Sequence, residues 1–396
     1  MSRNSKWILL VLCLGYFIDF YDLTVMSVSY VDLFKQQFGI TDSVDIQKMY
    51  FTINNIQMVG VLVGAILFGA LADKFGRITV IKYSILLYSV TTILAIFMTN
   101  IYLFMGLRFL SYLGLASEFA VSTVLIVEFF PPKLAAWGMS LLYILGVFGG
   151  ITATLFGVFS YKVMFVFGGV AGLCIFSLRK VLEESPYFIE LYGSEKFKKA
   201  GSLIYLFKNY SKPLILNFLI TIPYFFVITV MFALVKFIST DINFASLVKI
   251  FLFGFFAGNI ISCIISGFYN QYFKSPNLFF VVNIVIFLAS IFMYKYITAD
   301  TIFVYGVVIG LIGGGYNIMW AQYAATEFPT EVRSLATNMI FALGRTSSIF
   351  FGLIFASWIS DEASFRYNTN IMAVCVAIMV LLIIFFYKRK RILVKD

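Results

Sequence analysis

Long apolar segments alternate with short polar ones along the whole chain. Each apolar segment has about 20 residues, the length that an α-helix needs to cross the hydrocarbon core of a bilayer. Twelve such segments are predicted, at 7–31, 50–72, 79–98, 101–127, 137–158, 162–178, 213–236, 247–269, 277–295, 302–324, 335–358 and 370–387. The pattern predicts an all-α membrane protein with twelve transmembrane helices.

The longest polar stretch separates six of these segments from the other six. It predicts an N-terminal six-helix bundle over 1–178, a cytoplasmic linker over 179–212 and a C-terminal six-helix bundle over 213–396. The sequence EFFPPK after the fourth segment is echoed by EFPTEVR after the tenth. The echo indicates two related halves, and parallel repeats of six helices around a midplane site are a transporter architecture.

The composition agrees with this class. The chain is 61% hydrophobic and 12% charged, whereas a soluble domain is about half apolar and about a quarter charged. The first apolar segment is interpreted as a retained helix, because it contains Asp19 and Asp22 and lacks the cleavage site of a signal peptide. The four cysteines occur singly, so neither a disulfide framework nor a metal site is predicted, and no cofactor is expected.

The formal net charge of +10 follows the predicted topology. With the N-terminus inside, 20 of the 29 Lys and Arg residues fall on the cytoplasmic side, seven fall outside, and Arg108 and Arg345 remain within the membrane. Positive charge concentrates on the cytoplasmic side of membrane proteins. We therefore expect a multi-pass protein of the plasma membrane with both termini in the cytoplasm and with no nucleic-acid partner.

The turn between the second and third segments combines glycines with charged residues, in the sequence GALADKFGRITV. A tight turn favours glycine at Gly76. Asp73 is suited to accept hydrogen bonds from the N-terminal amides of another helix, and Arg77 to meet acids or lipid phosphates. The alternative is a solvated loop that only carries cytoplasmic positive charge.

The spacing G-x3-D-[RK]-x-G-R in this turn, which begins at Gly69, resembles the signature loop of the major facilitator superfamily. The twelve segments and the long central linker resemble the same family. The resemblance implies the major facilitator fold, with two pseudo-symmetric six-helix bundles that rock around a central site in a transporter rather than an enzyme. It also implies that the loop residues act in conformational gating. A monomer is expected.

Further segments resemble proton-coupled phosphate, aromatic-acid and other metabolite porters, and in part sugar porters. The segments are GYFIDFYDL, RFLSYLGLASEFAVSTVLIVEFFP, ESPYF and FPTEVRSLATNMIFALGR. The resemblance pairs Arg108 with an aspartate of the first segment, Asp22. Three more charged residues join the predicted gating group: Glu128, Glu327 and Arg333.

Charges inside the membrane are the candidate chemistry. A charge at the bilayer centre costs at least about 2.5–3.5 kcal/mol, so it faces a cavity or a partner. Asp19 and Asp22 share one face of a helix, about 18–22 Å into the membrane at 1.5 Å per residue. Glu118 and Arg345 come to similar depths, about 15–18 Å from the inner surface. The same count places Arg108 farther out, about 30 Å from the cytoplasmic end of its segment.

Three acids and two bases leave one carboxylate without a fixed cation, and such a carboxylate is able to take up and release protons. The chain has no histidine. Asp19, Asp22 and Glu118 are therefore the predicted proton-coupling residues. Buried ion pairs with a purely structural role are the alternative.

Six residues are predicted to bind the substrate: Arg108, Tyr224, Tyr316, Asn317, Trp320 and Arg345. The two arginines offer forked donors to a carboxylate or phosphate. Asn317 aligns with an asparagine of phosphate porters in the resemblance, and Pro223 marks a kink beside Tyr224. For the aromatic residues, packing is the alternative.

These features predict proton-coupled symport of a small metabolite by alternating access, with an organic acid or a phosphate anion as the favoured substrate. A proton-coupled sugar porter is the alternative, although the mid-segment amides that sugar sites need are few. A nutrient-sensing receptor built on a carrier fold is another. A membrane enzyme would need a metal cluster or a nucleophile with a base, and the sequence indicates neither. The expected partners are the substrate, protons and the lipid bilayer.

Overall fold

The computed structural model describes residues 3–238, 244–273, 275–293, 298, 300–358 and 362–387. Within them the chain forms fourteen α-helices, a 3-10 helix at Glu195–Lys199, and no strand. The α-helices are α1 (Arg3–Phe38), α2 (Ser43–Phe75), α3 (Arg77–Ala95), α4 (Ile101–Leu115), α5 (Glu118–Phe129), α6 (Pro132–Phe156), α7 (Tyr161–Arg179), α8 (Pro186–Tyr192), α9 (Leu203–Ile238), α10 (Phe244–Tyr272), α11 (Asn277–Phe292), α12 (Ile302–Glu327), α13 (Arg333–Trp358) and α14 (Glu362–Phe386).

The predicted spans coincide with these helices. In the described part of the chain, eleven helical segments are long and apolar enough to cross a membrane. One of them, Ile101–Phe129, joins α4 and α5, because Ala116 and Ser117 between the two helices keep right-handed helical φ and ψ. The twelfth predicted span is α11, which has 16 residues. The predicted all-α membrane architecture is confirmed.

The kink at Pro223 stays a prediction, while α9 has a break in its helical backbone at another position. Backbone angles inside α9 depart from helical values at Tyr210, with φ −131° and ψ 19°. This break lies just before Pro213, whose ring nitrogen has no hydrogen to donate to the carbonyl one turn earlier. The break therefore falls where the linker joins the seventh span, and Pro223 lies within the helix.

The chain divides into two compact units, and each is built from three separate segments. The first unit comprises Met1–Pro131, Leu145–Tyr210 and Phe328–Ala342. The second unit comprises Pro132–Ile144, Ser211–Glu327 and Leu343–Asp396. Helices α6 and α13 thus contribute to both units. The division into sequence-contiguous bundles at 178 and 213 stays a prediction.

Glycines allow close helix packing inside each unit. In the first unit, a Cβ on Gly149 of α6 would lie 2.0 Å from the Phe17 carbonyl oxygen of α1. In the second, a Cβ on Gly258 of α10 would lie 2.1 Å from the Val307 carbonyl oxygen of α12. Small residues permit this approach where helices pack within a membrane. The packing fixes the helices that carry the buried polar groups.

Candidate functional site

A buried ion pair joins α1 to α4 in the first unit. Arg108 donates to Asp22 through Nη1 at 3.3 Å and through Nη2 at 2.9 Å, and both side chains are buried. With the Gln57 amide turned so that its oxygen faces the guanidinium, that oxygen accepts from Arg108 Nε at 2.9 Å and from Nη2 at 3.1 Å. The pairing implied by the resemblance is therefore present in the structure.

Asp22 compensates the positive charge of Arg108 in surroundings that exclude water. The rings of Tyr112 and Phe165 lie 5.2 Å from the guanidinium carbon, and the side chain is fully buried. A buried cation that loses its partner costs about 3–5 kcal/mol. A proton on Asp22 would thus leave Arg108 in need of another anion or of a new arrangement.

Glu118 has a fixed cationic partner that the sequence argument missed. Arg179 Nη1 donates to Glu118 Oε2 at 2.9 Å, and Arg179 Nη2 contacts Glu118 Oε1. Arg179 Nη1 also donates to the Ile81 carbonyl oxygen at 2.8 Å. The expectation of two buried bases is wrong, because Arg179, assigned to the linker, is the buried last residue of α7.

The Glu118–Arg179 pair lies directly against α1. A Cβ on Gly15 would lie 2.0 Å from Arg179 Nη2 and 2.1 Å from Glu118 Oε1. Asp19, four residues further along α1, is buried as well. The three predicted proton-coupling acids therefore belong to the same unit.

The signature turn holds the start of α13 through Asp73. Its Oδ1 accepts from the Ser334 amide at 3.0 Å and its Oδ2 from the Leu335 amide at 2.9 Å. A carboxylate at a helix N-terminus satisfies free amides and complements the helix dipole. The absence of a side chain at Gly69 permits this contact, since a Cβ there would lie 2.9 Å from Leu335 Cα. Asp73 makes the type of contact that the sequence predicted.

Two arginines and a glutamate extend this contact. Arg333 Nη1 donates to Glu128 Oε1 at 2.5 Å. Arg77 Nη2 lies 3.5 Å from the same Glu128 oxygen and 3.4 Å from Asp73 Oδ1, and it donates to the Thr330 carbonyl oxygen at 2.8 Å. We call Asp73, Arg77, Glu128 and Arg333 the loop cluster. It contains four of the predicted gating residues, all in the first unit.

Glu184 of the linker caps the start of α3. Its carboxylate accepts from the amides of Arg77 and Ile78, each at 3.0 Å. Gly76 precedes these amides with φ +102°, and a Cβ there would lie 2.3 Å from Glu184 Oε2. Burial raises the pKa of the Glu184 carboxyl, while the amide hydrogen bonds and the charge of Arg77 oppose the shift. The ESPYF segment is thereby tied to the signature turn.

In the second unit, four side chains form a continuous row of hydrogen bonds, which we call the polar string. Trp320 Nε1 donates to Asn317 Oδ1 at 3.0 Å, and Asn317 Nδ2 donates to the Tyr143 hydroxyl at 3.2 Å. The hydroxyls of Tyr143 and Tyr224 lie 3.2 Å apart. Arg345 lies within electrostatic range of the Tyr224 hydroxyl. Three predicted substrate-binding residues, Tyr224, Asn317 and Trp320, therefore lie in one row of hydrogen bonds with Tyr143, which the sequence did not single out.

Two other predicted site residues of the second unit have different neighbours. The Tyr316 hydroxyl donates to the Ile220 carbonyl oxygen at 2.5 Å, which ties α12 to α9. Glu327 accepts from Asn217 Nδ2 at 2.8 Å and from the Tyr387 hydroxyl. A substrate contact by Tyr316 and a gating role of Glu327 stay predictions.

The family profile of the Major Facilitator Superfamily matches residues 12–350. The chain belongs to this superfamily. It is a multi-pass membrane protein of a superfamily of transporters, which are not enzymes. The membership of the major facilitator superfamily that the sequence predicts is thus confirmed.

Known proteins similar to the chain include a bacterial transporter and a bacterial protein described as a putative transport protein. The sialic acid transporter NanX of Escherichia coli K12 is 30% identical over 50% of this chain and 47% of its own length. A putative metabolite transport protein of Haemophilus influenzae is 27% identical over 83% of this chain and 84% of its own length. The match to NanX thus spans about half of that relative.

A solved structure shows the same fold. The proton:xylose symporter XylE, solved with a bound 6-bromo-6-deoxy-D-glucose, aligns over 98% of both chains with a TM-score of 0.79 at 14% identity. At this identity the likeness shows the fold alone. The major facilitator fold predicted from the signature turn is confirmed.

Proposed function

We propose that the protein is a proton-coupled symporter of a small organic acid or phosphate anion that works by alternating access. The observation that carries the proposal is the Asp22–Arg108 pair, a titratable acid bound to a fully buried cation. Protonation of Asp22 weakens its hold on Arg108 and makes the present arrangement costly. The uptake of a proton is thereby linked to a rearrangement of the carrier.

Asp22 is the proposed proton carrier, with Asp19 as a second acid on α1. Glu118 is reached by a proton only if Arg179 releases it, because both terminal nitrogens of Arg179 face its carboxylate. The substrate-binding proposal for Arg108 has a similar condition. Its Nε, Nη1 and Nη2 face Asp22 or Gln57, so an anion gains access to it when Asp22 becomes neutral.

The anionic substrate class is supported by the second unit. This unit contains Arg345, whose charge acts on the Tyr224 hydroxyl of the polar string, and charged hydrogen bonds are the strong ones in anion recognition. A relative named for sialic acid, which is a carboxylate, points in the same direction. The loop cluster is proposed to act on the rocking step, since it holds the start of α13 in the first unit while α13 continues into the second.

The protein is proposed to act as a monomer in the plasma membrane. Both termini are proposed to lie in the cytoplasm, because Lys and Arg residues are concentrated on the side of the membrane that carries the linker. Cysteine labelling at Ser194, in the described linker, checks this orientation. Reaction only from the cytoplasmic side is expected, and reaction only from outside would contradict it.

The function is tested by uptake into proteoliposomes of purified protein. The probes are sialic acid, gluconate, inorganic phosphate and xylose, each with an inward proton gradient, without one, and with a protonophore. We expect one or more of the three anions to accumulate above equilibrium and the protonophore to abolish the accumulation. Accumulation of xylose alone would favour the sugar porter, and uptake that stops at equilibrium under a gradient would contradict proton coupling.

A further inference from the structure

The polar string has a direction that its first member fixes. An indole nitrogen only donates hydrogen bonds, so Trp320 Nε1 must meet an acceptor, and Asn317 Oδ1 lies 3.0 Å from it. The Asn317 amide is therefore oriented with its nitrogen toward Tyr143 at 3.2 Å and toward the Gly313 carbonyl oxygen at 3.1 Å. The Tyr143 hydroxyl oxygen therefore accepts a hydrogen bond from the Asn317 amide nitrogen.

The second link of the string then favours one of its two possible directions. A hydroxyl that accepts a hydrogen bond becomes a stronger donor, because hydrogen bonds in a chain polarise one another. Tyr143 accepts from Asn317 and lies 3.2 Å from the Tyr224 hydroxyl, so it is polarised to donate to Tyr224. If the Tyr224 oxygen accepts from Tyr143, the Tyr224 O–H is left to donate to another acceptor.

All four members of the string are buried, and their exposed fraction rises slightly toward Tyr224. Trp320 is 0% exposed, Asn317 1%, Tyr143 2% and Tyr224 7%. The least buried member is thus the tyrosine within electrostatic range of Arg345. Tyr224 supplies a hydroxyl and Arg345 a guanidinium, and both groups suit a carboxylate or phosphate oxygen.

We propose that Tyr143 is a positioning residue for substrate recognition, which sets the Tyr224 hydroxyl as a donor so that Tyr224 and Arg345 together bind the anionic group of the substrate. The inference rests on the proposed transport of an anion. It goes further because it assigns the recognition of that group to Tyr224 and Arg345. It also assigns the orientation of the Tyr224 hydroxyl to Tyr143, which no sequence motif marks. A neutral sugar gains less from this arrangement, because the charge of Arg345 adds little to its binding.

The test uses Tyr143→Phe, Tyr224→Phe and the double variant, with Tyr305→Phe as matched control. Tyr305 is a buried tyrosine of α12 whose hydroxyl donates to the Ser290 carbonyl oxygen at 2.9 Å. Its loss therefore reports the general effect of removing a buried hydroxyl from this unit. The KM and the maximal rate are measured by counterflow exchange of whichever of sialic acid, gluconate and phosphate the wild type carries.

Tyr143→Phe is expected to raise the KM about three- to tenfold, the range of one neutral hydrogen bond, with the maximal rate within about twofold. Tyr224→Phe is expected to raise it about tenfold or more, as for a bond to a charged group. The double variant should match Tyr224→Phe alone, because Tyr143 acts through Tyr224. Tyr305→Phe should leave the KM at the wild-type value.

Two results would overturn the inference while the proposed function stands. One is a KM for Tyr143→Phe equal to that of Tyr305→Phe, and the other is an additive double variant. If Tyr143→Phe does not fold, Trp320→Phe removes the donor that fixes the direction and should raise the KM about two- to fivefold; an unchanged KM there overturns the inference equally. If the wild type carries none of the three anions, the proposed function fails first, and this inference falls with it.

Discussion

Glu118 and Arg179 form a buried ion pair that joins α5 to α7 inside the first unit, with Arg179 Nη1 2.9 Å from Glu118 Oε2. The pair also reaches α3 through the Ile81 carbonyl oxygen and touches α1 at Gly15. A pair with contacts to four helices holds the first unit together. The charge count from the sequence left one of the three acids without a cationic partner. Arg179 is a further buried cation, and it pairs with Glu118.

Breaking this pair from one side should destabilise the protein. Arg179→Gln leaves Glu118 as an unpaired buried charge, and we expect a loss of about 3–5 kcal/mol in the free energy of unfolding. The double variant Arg179→Gln/Glu118→Gln removes both charges and should recover much of that loss. Thermal unfolding of the purified variants measures both effects.

Gly15→Ala provides an independent check, since its Cβ would lie 2.0 Å from Arg179 Nη2, and it should destabilise as well. Gly106→Ala on α4, where a Cβ meets nothing within 4 Å, is the control. If Glu118→Gln leaves stability unchanged and weakens gradient-driven accumulation instead, Glu118 is a proton stop and the structural account of the pair is wrong.

Substitutions in the signature turn should slow turnover with little effect on affinity. Asp73→Asn weakens the cap on α13, and the KM is expected to stay within a few-fold while the maximal rate falls. Gly76→Val meets Glu184 Oε2 and an unfavourable φ of +102°. Gly39→Val is its control, because Gly39 also has a positive φ, +68°, but a Cβ there meets nothing within 4 Å. A large loss of affinity at normal turnover would argue against a gating role.

Arg345→Ala should weaken the binding of an anion by about 1.5–3 kcal/mol, the contribution of a charged hydrogen bond. Arg345→Lys keeps the charge without the planar fork and should lose less. Competition of unlabelled anion against a labelled one in exchange assays gives both affinities. Equal affinity in the wild type and Arg345→Ala would remove Arg345 from the binding site.

The raised pKa of Glu184 gives a pH dependence with a defined sign. A carboxyl whose pKa is higher in the folded state contributes stability that is full at low pH and is lost as the pH rises through the folded-state pKa. Glu184→Gln carries no such charge, so its melting temperature relative to wild type should increase from pH 4 to pH 8. Glu190→Gln, an exposed acid on α8, measures the effect of removing a linker charge alone. A relative melting temperature that falls with pH would contradict the assignment.

Sequence reasoning reached the fold and part of the site for identifiable physical reasons. The length of the apolar segments predicts the spans. The contact of Asp73 with a helix N-terminus was predicted from the position of this acid in the signature turn and from the preference of helix N-termini for acids. Arg179 was missed because a hydropathy window ends at a charge, whereas a charge with a buried partner 61 residues away lies inside the fold. Tyr143 was missed because a tyrosine in an apolar helix looks the same whether it packs or donates. Both depend on contacts between helices that one sequence does not reveal.

The central claim is that Asp22 couples the proton to transport. Asp22→Asn removes the titratable acid and keeps an oxygen that accepts from Arg108. Asp32→Asn, the same change at an exposed position of α1, is the control.

The decisive measurement compares gradient-driven accumulation with exchange of the same anion in proteoliposomes of folded Asp22→Asn. The account predicts that accumulation is lost while exchange persists, since exchange does not require the proton to leave, and that Asp32→Asn keeps both. Accumulation by Asp22→Asn at the wild-type level would contradict it.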